Sequence, residues 1–288
     1  MNPLVPYGAL CGIPNIVRTK SGADLFYRDW GAGKPVLFVA SWALASDSWN
    51  IQMMALVEAG YRVIAFDRRG HGRSSDPGRG YDFDTLADDI AAVIDALDLS
   101  GATLVGHSMA CGEIVRYLSR HGGARIRGAA LLAPMTPFLL QTPDNPDGMA
   151  GEVCAAVRRQ LVHDFAGWID ENMEPFVPGA GESTRAWLRT MAMSASLHAL
   201  CECNRALAQE DFRPDLARVD VPVLLIAGGR DASAPPGLTA HPTARLLPDA
   251  TLKLYEDGPH GMFLTHRDRV NADLLEFIRS IGHNRLDQ

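Results

Sequence analysis

The sequence contains no long apolar run, and no stretch approaches the roughly 18 apolar residues of a membrane-spanning helix. It has no excess of basic residues: 27 Lys and Arg oppose 34 Asp and Glu, for a formal net charge of −7. This acidic balance disfavours nucleic acid and anionic membranes as partners. The five cysteines are an odd and scattered set, which is typical of reduced thiols. With no basic, apolar N-terminal stretch, no signal peptide is predicted, and a cytoplasmic location is expected.

What the chain does contain is an alternation of short β-type runs with helical patterns. Continuous apolar runs such as Pro35–Ala40 are typical of strands that are covered on both faces. Candidate strands are 15–20, 24–30, 35–40, 62–67, 102–106, 127–133, 221–228 and 251–255. This alternation predicts an α/β fold with a mostly parallel central sheet flanked by helices.

The alternation stops between residues 134 and 214, where no strand-like run occurs. Apolar residues then recur at every fourth position, at Val153, Val157, Leu161 and Phe165, which predicts a helix. A stretch rich in helix breakers follows at 175–181, and one or two further helices are predicted around 187–200. The sequence therefore predicts a core made of residues 1–135 and 214–288, with a helical cap at 136–213 over one end of the sheet.

A serine stands between a predicted strand and a predicted helix, in the run VGHSMA at 105–110. The small residues Gly106 and Ala110 lie two positions before and after Ser108. This spacing suits a tight strand-to-helix turn that exposes the serine hydroxyl. The turn also sets Ser108 beside a helix N-terminus, whose N–H groups favour developing negative charge. Ser108 is therefore the candidate nucleophile, and the alternative is a serine that only caps the helix.

A serine nucleophile needs a base, and the base needs a group that orients it. Asp231 directly follows the predicted strand at 221–228, and His260 lies between the last strand and the last helix. Open α/β sheets place their sites at the carboxyl edge of the strands. Taken alone, Asp231 would be a capping carboxylate and His260 a loop histidine. Together with Ser108, in the order serine, acid, histidine, they predict a catalytic triad.

The chain resembles the α/β-hydrolase superfamily over nearly its whole length, most closely the cofactor-free haloperoxidase, perhydrolase and esterase branch. The matching stretches are FVASWALASDSW at 38–49, YRVIAFDRRGHGRSS at 61–75, GHSMACG at 106–112, Arg230-Asp231, and Pro-His-Gly at 259–261. The resemblance implies an α/β-hydrolase fold with a helical cap insertion. It also implies an oxyanion hole made by the backbone N–H groups of Met109 and Trp42. By the same resemblance, His71 and His107 are expected to be structural.

Two positions depart from the pattern of this branch. Most members carry His-Gly before the position of Trp42, and this chain has Ala40-Ser41. The expected donor is a backbone group, which can survive the change, although serine adopts positive φ less easily than glycine. Perhydrolase-type members usually carry proline after that tryptophan, and this chain has Ala43. The resemblance therefore favours plain ester hydrolysis over peracid formation.

These observations predict a serine hydrolase that acts on a small carboxylic ester or lactone and needs no metal or organic cofactor. Side chains expected to contact the substrate are Ser41, Phe138, Trp168, Trp187 and Met191. Haloperoxidase, perhydrolase or C–C bond hydrolase activity at the same site stays open, and so does the oligomeric state, a homo-oligomer included. A non-catalytic small-molecule receptor on this scaffold is the alternative from another class.

Overall fold

Eight strands form one sheet in the computed structural model, which describes residues 15–283. In chain order the strands are β1 (Ile16–Arg18), β2 (Asp24–Trp30), β3 (Pro35–Val39), β4 (Arg62–Phe66), β5 (Ala102–His107), β6 (Ile126–Leu132), β7 (Val223–Gly228) and β8 (Ala250–Tyr255). Their order across the sheet is β1-β2-β4-β3-β5-β6-β7-β8. Strand β2 is antiparallel to both of its neighbours, and all other neighbouring strands in the sheet are parallel. The predicted mostly parallel α/β class is confirmed.

Helices connect the strands and pack on the sheet. They are α1 (Asn50–Glu58), α2 (Phe83–Ala96), α3 (Met109–His121), α4 (Gly151–His163), α5 (Phe165–Phe176), α6 (Glu182–Met193), α7 (Leu197–Gln209), α8 (Arg213–Leu216), α9 (Ala240–Leu246), α10 (Met262–Thr265) and α11 (Arg267–His283). None of these helices, within residues 15–283, is both long and apolar enough to cross a membrane.

Alternation along the strands divides the apolar side chains between two cores, one on each face of the sheet. On β3, for example, Leu37 contributes to one core and Phe38 to the other, and both side chains are fully buried. Residues of α2 and α3 complete the first core, and residues of α1 and α11 complete the second. Because the sheet is buried on both faces, its strands have continuous apolar sequences.

Between β6 and β7 the chain forms five helices, α4 to α8, and the first four, α4 to α7, are called the helical segment below. The predicted helix through Phe165 is wrong at its end, because α4 ends at His163 and α5 begins at Phe165. The break has a local cause: the side chain of Asp164 accepts a hydrogen bond from the N–H of Gly167 and caps α5. The bounds 136 and 213 of a cap domain stay a prediction.

A buried ion pair ties α3 to the loop that follows β3. Arg68 and Glu113 are each about 1% exposed and form a salt bridge. Arg68 also donates hydrogen bonds to the carbonyl oxygens of Ala40 (2.6 Å) and Ser41 (3.1 Å). Burial raises the pKa of the Glu113 carboxyl, and the charge of Arg68 acts against that rise. Because a buried charge is tolerated only when it is paired and hydrogen-bonded, these contacts depend on one another.

Glu113→Gln, which removes the charge and keeps the size, is expected to lower the free energy of unfolding by about 3–5 kcal/mol, because Arg68 then stays buried without a counter-charge. Urea unfolding followed by circular dichroism measures the change. Asp170→Asn is the matched control, since its partner Arg189 is exposed and the pair contributes less than about 1 kcal/mol. Equal losses in the two variants would contradict the role assigned to the buried pair.

Candidate active site

Ser108 occupies a strained turn between β5 and α3. Its φ is 59° and its ψ is −119°, a combination that L-residues rarely adopt. The turn also requires a small residue on the strand side. A Cβ atom at Gly106 would lie 2.6 Å from the side chain of Ile114 and 3.2 Å from the backbone of Ala110. The sequence therefore folds here into a turn that holds the serine hydroxyl above the carboxyl edge of the sheet.

A line of two hydrogen bonds joins Ser108, His260 and Asp231. Nε2 of His260 lies 2.9 Å from Oγ of Ser108, and Nδ1 of His260 donates to Oδ2 of Asp231 at 2.7 Å. Ser108 follows β5, Asp231 follows β7, and His260 follows β8. Because these strands are parallel, their carboxyl ends meet at one edge, which is how residues far apart in the chain come into contact. The structure thus brings together the three residues that the sequence singled out.

Asp231 is held in its ionised form. Its Oδ1 accepts hydrogen bonds from the N–H groups of Ser233 (2.9 Å) and Ala234 (2.7 Å), while Oδ2 faces His260. Burial acts to raise the pKa of this carboxyl, but the charge and hydrogen bond of His260 and the N–H of Ala234 outweigh it. The pKa of Asp231 therefore lies below its ordinary value. A carboxylate in this state orients the imidazole and stabilises it when it is charged.

His107 fixes the backbone of His260, a contact that sequence reasoning did not identify. The side chain is fully buried, its Nε2 lies 2.8 Å from the carbonyl oxygen of His260, and the two rings are 4.8 Å apart. A carbonyl only accepts, so Nε2 carries the proton and the buried Nδ1 does not. Burial, together with the nearby charge of His260, lowers the pKa of His107 to about 3. His107 is therefore neutral at physiological pH and does not repel a protonated His260.

The loop after β3 lies beside the same site. Residues 41–44 form a turn closed by a hydrogen bond from the N–H of Leu44 to the carbonyl of Ser41, and Ala43 within it has a φ of 63°. Arg68 holds the carbonyl oxygens of Ala40 and Ser41 away from the site. Within residues 15–283 the N–H groups of Trp42 and Met109 have no hydrogen-bond acceptor. Both groups are free to bind an oxygen that carries negative charge.

A cavity of about 230 Å³ opens beside Ser108 and His260. Its walls are mostly apolar side chains of the loops after β3 and β6 and of the helical segment, among them Trp42, Met135, Val157, Trp168, Phe176 and Leu207. The indole rings of Trp42 and Trp168 meet edge to face at 5.4 Å, and Trp42 Nε1 donates to the carbonyl of Leu200. The serine hydroxyl thus faces a small, largely apolar space.

Only two of the five expected substrate contacts line this cavity, namely Ser41 and Trp168. Phe138 instead packs beneath the guanidinium of Arg213, which lies 5.0 Å from its ring. Trp187 and Met191 line a separate depression on the outer side of α6. Phe138, Trp187 and Met191 therefore do not line the cavity beside Ser108. The buried face of α6 does reach the cavity, but through Leu188 and Ala192 and not through the two residues that the sequence singled out.

Comparison with known proteins places the chain among α/β hydrolases. The family model described as alpha/beta hydrolase fold matches residues 34–267. The chain is 42% identical to a non-heme chloroperoxidase of Streptomyces lividans, over 92% of this chain and 99% of that relative. It is 38% identical to a bifunctional esterase/perhydrolase of Acinetobacter calcoaceticus, over the same shares. The crystal structure of a bromoperoxidase from Bacillus anthracis superposes with a TM-score of 0.89 at 34% identity, covering 93% of this chain and 100% of that one.

The low pKa of His107 predicts a pH-dependent stability. An unfolded histidine binds a proton below about pH 6.5, whereas folded His107 does so only near pH 3. Acid therefore favours the unfolded chain, and stability falls as the pH drops from 6.5. At pH 5 this one group lowers the free energy of unfolding by about 2 kcal/mol. The glutamine of His107→Gln cannot be protonated. Between pH 7 and pH 5 the unfolding free energy of this variant should therefore fall by about 2 kcal/mol less than that of the wild type. Parallel curves for the two proteins in urea unfolding would refute this assignment.

Proposed function

The chain belongs to the α/β-hydrolase family, and on this premise we propose that it is a serine hydrolase of small carboxylic esters or lactones. One observation carries the proposal: Ser108, His260 and Asp231 form a continuous hydrogen-bonded line at the mouth of an apolar cavity. Acyl transfer requires a serine whose proton is taken by a histidine, and the histidine must in turn be oriented by a carboxylate.

The reaction follows from the position of each group. His260 takes the proton of Ser108 through Nε2 as Oγ attacks the carbonyl carbon of the ester. Asp231 stabilises the resulting imidazolium through Nδ1. The oxygen that becomes negative is bound by the N–H groups of Trp42 and Met109, and one such donor typically contributes 10²- to 10³-fold to the rate. His260 then gives its proton to the departing alcohol, which leaves an acyl group on Ser108.

The second half of the reaction uses the same groups. His260 draws a proton from a water molecule, the water attacks the acyl carbon, and the acid leaves as Ser108 recovers its proton. The cavity supports a compact substrate. A dry cavity of about 150 Å³ is enough for a benzene ring, so about 230 Å³ suits an acyl or alcohol group of ring size or slightly larger.

Two observations favour catalysis over the alternative of a non-catalytic receptor. The strained φ of Ser108 costs of the order of 1–3 kcal/mol, and a protein that only binds a ligand has no need of it. The backbone N–H groups of Trp42 and Met109 have no acceptor among residues 15–283 and are available to an oxyanion. Hydrolysis of haloalkanes or epoxides on this fold uses a carboxylate nucleophile, and position 108 is a serine.

Ser108→Ala is expected to lower kcat for p-nitrophenyl acetate and butyrate by roughly 10⁴- to 10⁶-fold, because no other group can form the acyl-enzyme. His260→Ala should be about as damaging. Release of p-nitrophenol, followed at 25 °C with purified variants whose circular dichroism matches the wild type, measures the effect.

Ser119→Ala is the matched control, because Ser119 lies on α3 like the nucleophile's neighbours but far along the helix. It should keep the turnover of the wild type. A fluorophosphonate probe with mass spectrometry should label Ser108 alone. Turnover that persists in Ser108→Ala would refute the proposed nucleophile, and slow or absent labelling would favour the receptor.

Peracid formation is a second candidate function, supported by relatives named chloroperoxidase and esterase/perhydrolase. It needs no new group: hydrogen peroxide replaces water in the attack on the acyl-enzyme, so the acyl group leaves as a peracid. The turn at residues 41–44 weighs against it as the main activity. Ala43 has a φ of 63°, whereas proline fixes φ near −65°, so the proline of perhydrolase-type relatives does not fit this turn.

We therefore expect ester hydrolysis to exceed peracid formation when both water and millimolar peroxide are present. The measurement combines an acid-release assay with bromide oxidation, which reports the peracid, on one ester at one pH. Both signals should vanish in Ser108→Ala, since both pass through the acyl-enzyme. Bromide oxidation that outpaces hydrolysis would reverse the ranking of the two functions, and oxidation that survives in Ser108→Ala would point to another site.

A further inference from the structure

An amide stands in the wall of the otherwise apolar cavity. Asn204 lies on α7, lines the cavity, and its Oδ1 accepts a hydrogen bond from Nη1 of Arg158 at 3.2 Å. A guanidinium only donates, so this contact fixes which end of the amide faces Arg158. The Nδ2 group is left with two N–H donors, and no acceptor for them exists among residues 15–283. Asn204 therefore has two unused N–H donors at the cavity wall, while its oxygen is engaged by Arg158.

Arg158 strengthens that donor. The side chain is half-buried on α4, and no carboxylate of the described residues lies within ion-pair distance of it. Its one hydrogen bond in this part of the chain is the bond to Asn204. A positive charge bound to the carbonyl end of an amide polarises the amide, so that its N–H groups donate more strongly. Arg158 is thus a positioning residue for Asn204.

The helix places this donor away from the reacting carbonyl. Leu200, whose carbonyl accepts from Trp42 Nε1, lies one helical turn before Asn204 on the same face of α7. Four residues of α-helix span about 6 Å. Leu200 contacts the indole of Trp42, whereas the proposed oxyanion donor is the backbone N–H of that residue. A substrate whose ester carbonyl is held at the backbone N–H would therefore reach Asn204 with a group several bonds further along its chain.

The other amide of the cavity lies at its mouth. Asn172 donates through Nδ2 to the carbonyl of Trp168 at 2.8 Å, which leaves its Oδ1 free, and its side chain is exposed at the cavity mouth. Ser233 is likewise exposed. Asn204 is therefore the amide donor that a substrate meets inside the cavity.

We propose that Asn204, oriented by Arg158, selects esters that carry a second hydrogen-bond-accepting oxygen, such as a ketone or a further carbonyl, in the part that enters the cavity. The proposal rests on the proposed ester hydrolysis and deepens it. A plain alkyl chain would leave the amide donor buried without a partner, which penalises that substrate relative to the oxygen-bearing one.

The test compares matched p-nitrophenyl esters of equal chain length, with and without a ketone two, three or four carbons from the ester carbonyl. A second series carries the ketone in the alcohol part. The quantity measured is the ratio of kcat/KM for the keto ester to that for its alkyl partner. We expect the wild type to favour the keto ester about fivefold to tenfold at one ketone position, the effect of one hydrogen bond.

Asn204→Leu should bring this ratio to one or below. Arg158→Met should lower it partway, since the amide of Asn204 can then rotate by 180°. Two matched controls should keep the wild-type ratio: Asn172→Leu, which removes the exposed amide at the cavity mouth, and Arg159→Met, which changes the exposed neighbour of Arg158. A merely structural role for Asn204 would lower both members of each pair equally and would leave the ratio unchanged.

Binding to Ser108→Ala separates this proposal from the proposed function. Trp42 and Trp168 line the cavity, so tryptophan fluorescence reports binding of the keto and alkyl ethyl esters without any turnover. Tighter binding of a keto ester that is lost in the double variant with Asn204→Leu supports the proposal even if the wild type hydrolyses no ester. A ratio near one at every ketone position, in turnover and in binding alike, would overturn it.

Discussion

The whole site depends on the confinement of one imidazole. His260 meets Asp231 at Nδ1 and Ser108 at Nε2, and His107 holds its backbone carbonyl. These contacts come from residues that follow or end β5, β7 and β8, so the imidazole is aligned only while these parallel strands keep their register. Rotation of the ring would break two hydrogen bonds at once. The proton path is therefore a property of the sheet edge and not of any single loop.

Strain and buried charge are concentrated at this same edge. Among residues 15–283, four non-glycine residues have positive φ, and three of them, Ala43, Ser108 and Ala133, follow β3, β5 and β6. Backbone strain of this kind persists only where the surroundings hold it in place. Here the two cores and the pair formed by Arg68 and Glu113 do so. Stability supplied by the body of the sheet is thus used to keep reactive groups in unfavourable but productive conformations.

The sequence was sufficient for the parts of the molecule that follow from local pattern. Strand-like runs and small residues around Ser108 predict the sheet and the turn, and position just past a strand brings Asp231 and His260 to the same edge. The spacing of apolar residues shows which face of a helix or strand is buried, but it does not show what that face packs against. Trp187 shows this limit. Its helical spacing predicts a packed side chain but does not tell whether that side chain packs on the core or lines the cavity. His107 was missed as a contact for the same reason, since its partner is a backbone carbonyl 153 residues away.

The division of labour between the sheet and the helical segment explains how one reaction can serve different substrates. In the proposed reaction the sheet edge supplies the nucleophile, the base and the oxyanion donors, which act on the two atoms of a carbonyl whatever is attached to it. The groups attached to that carbonyl would instead meet the helical segment, where Trp168 and Asn204 lie. A change in these helices alters which chain fits, without touching the proton path through His260. Selectivity can therefore vary independently of chemistry, because separate elements of the chain carry the two.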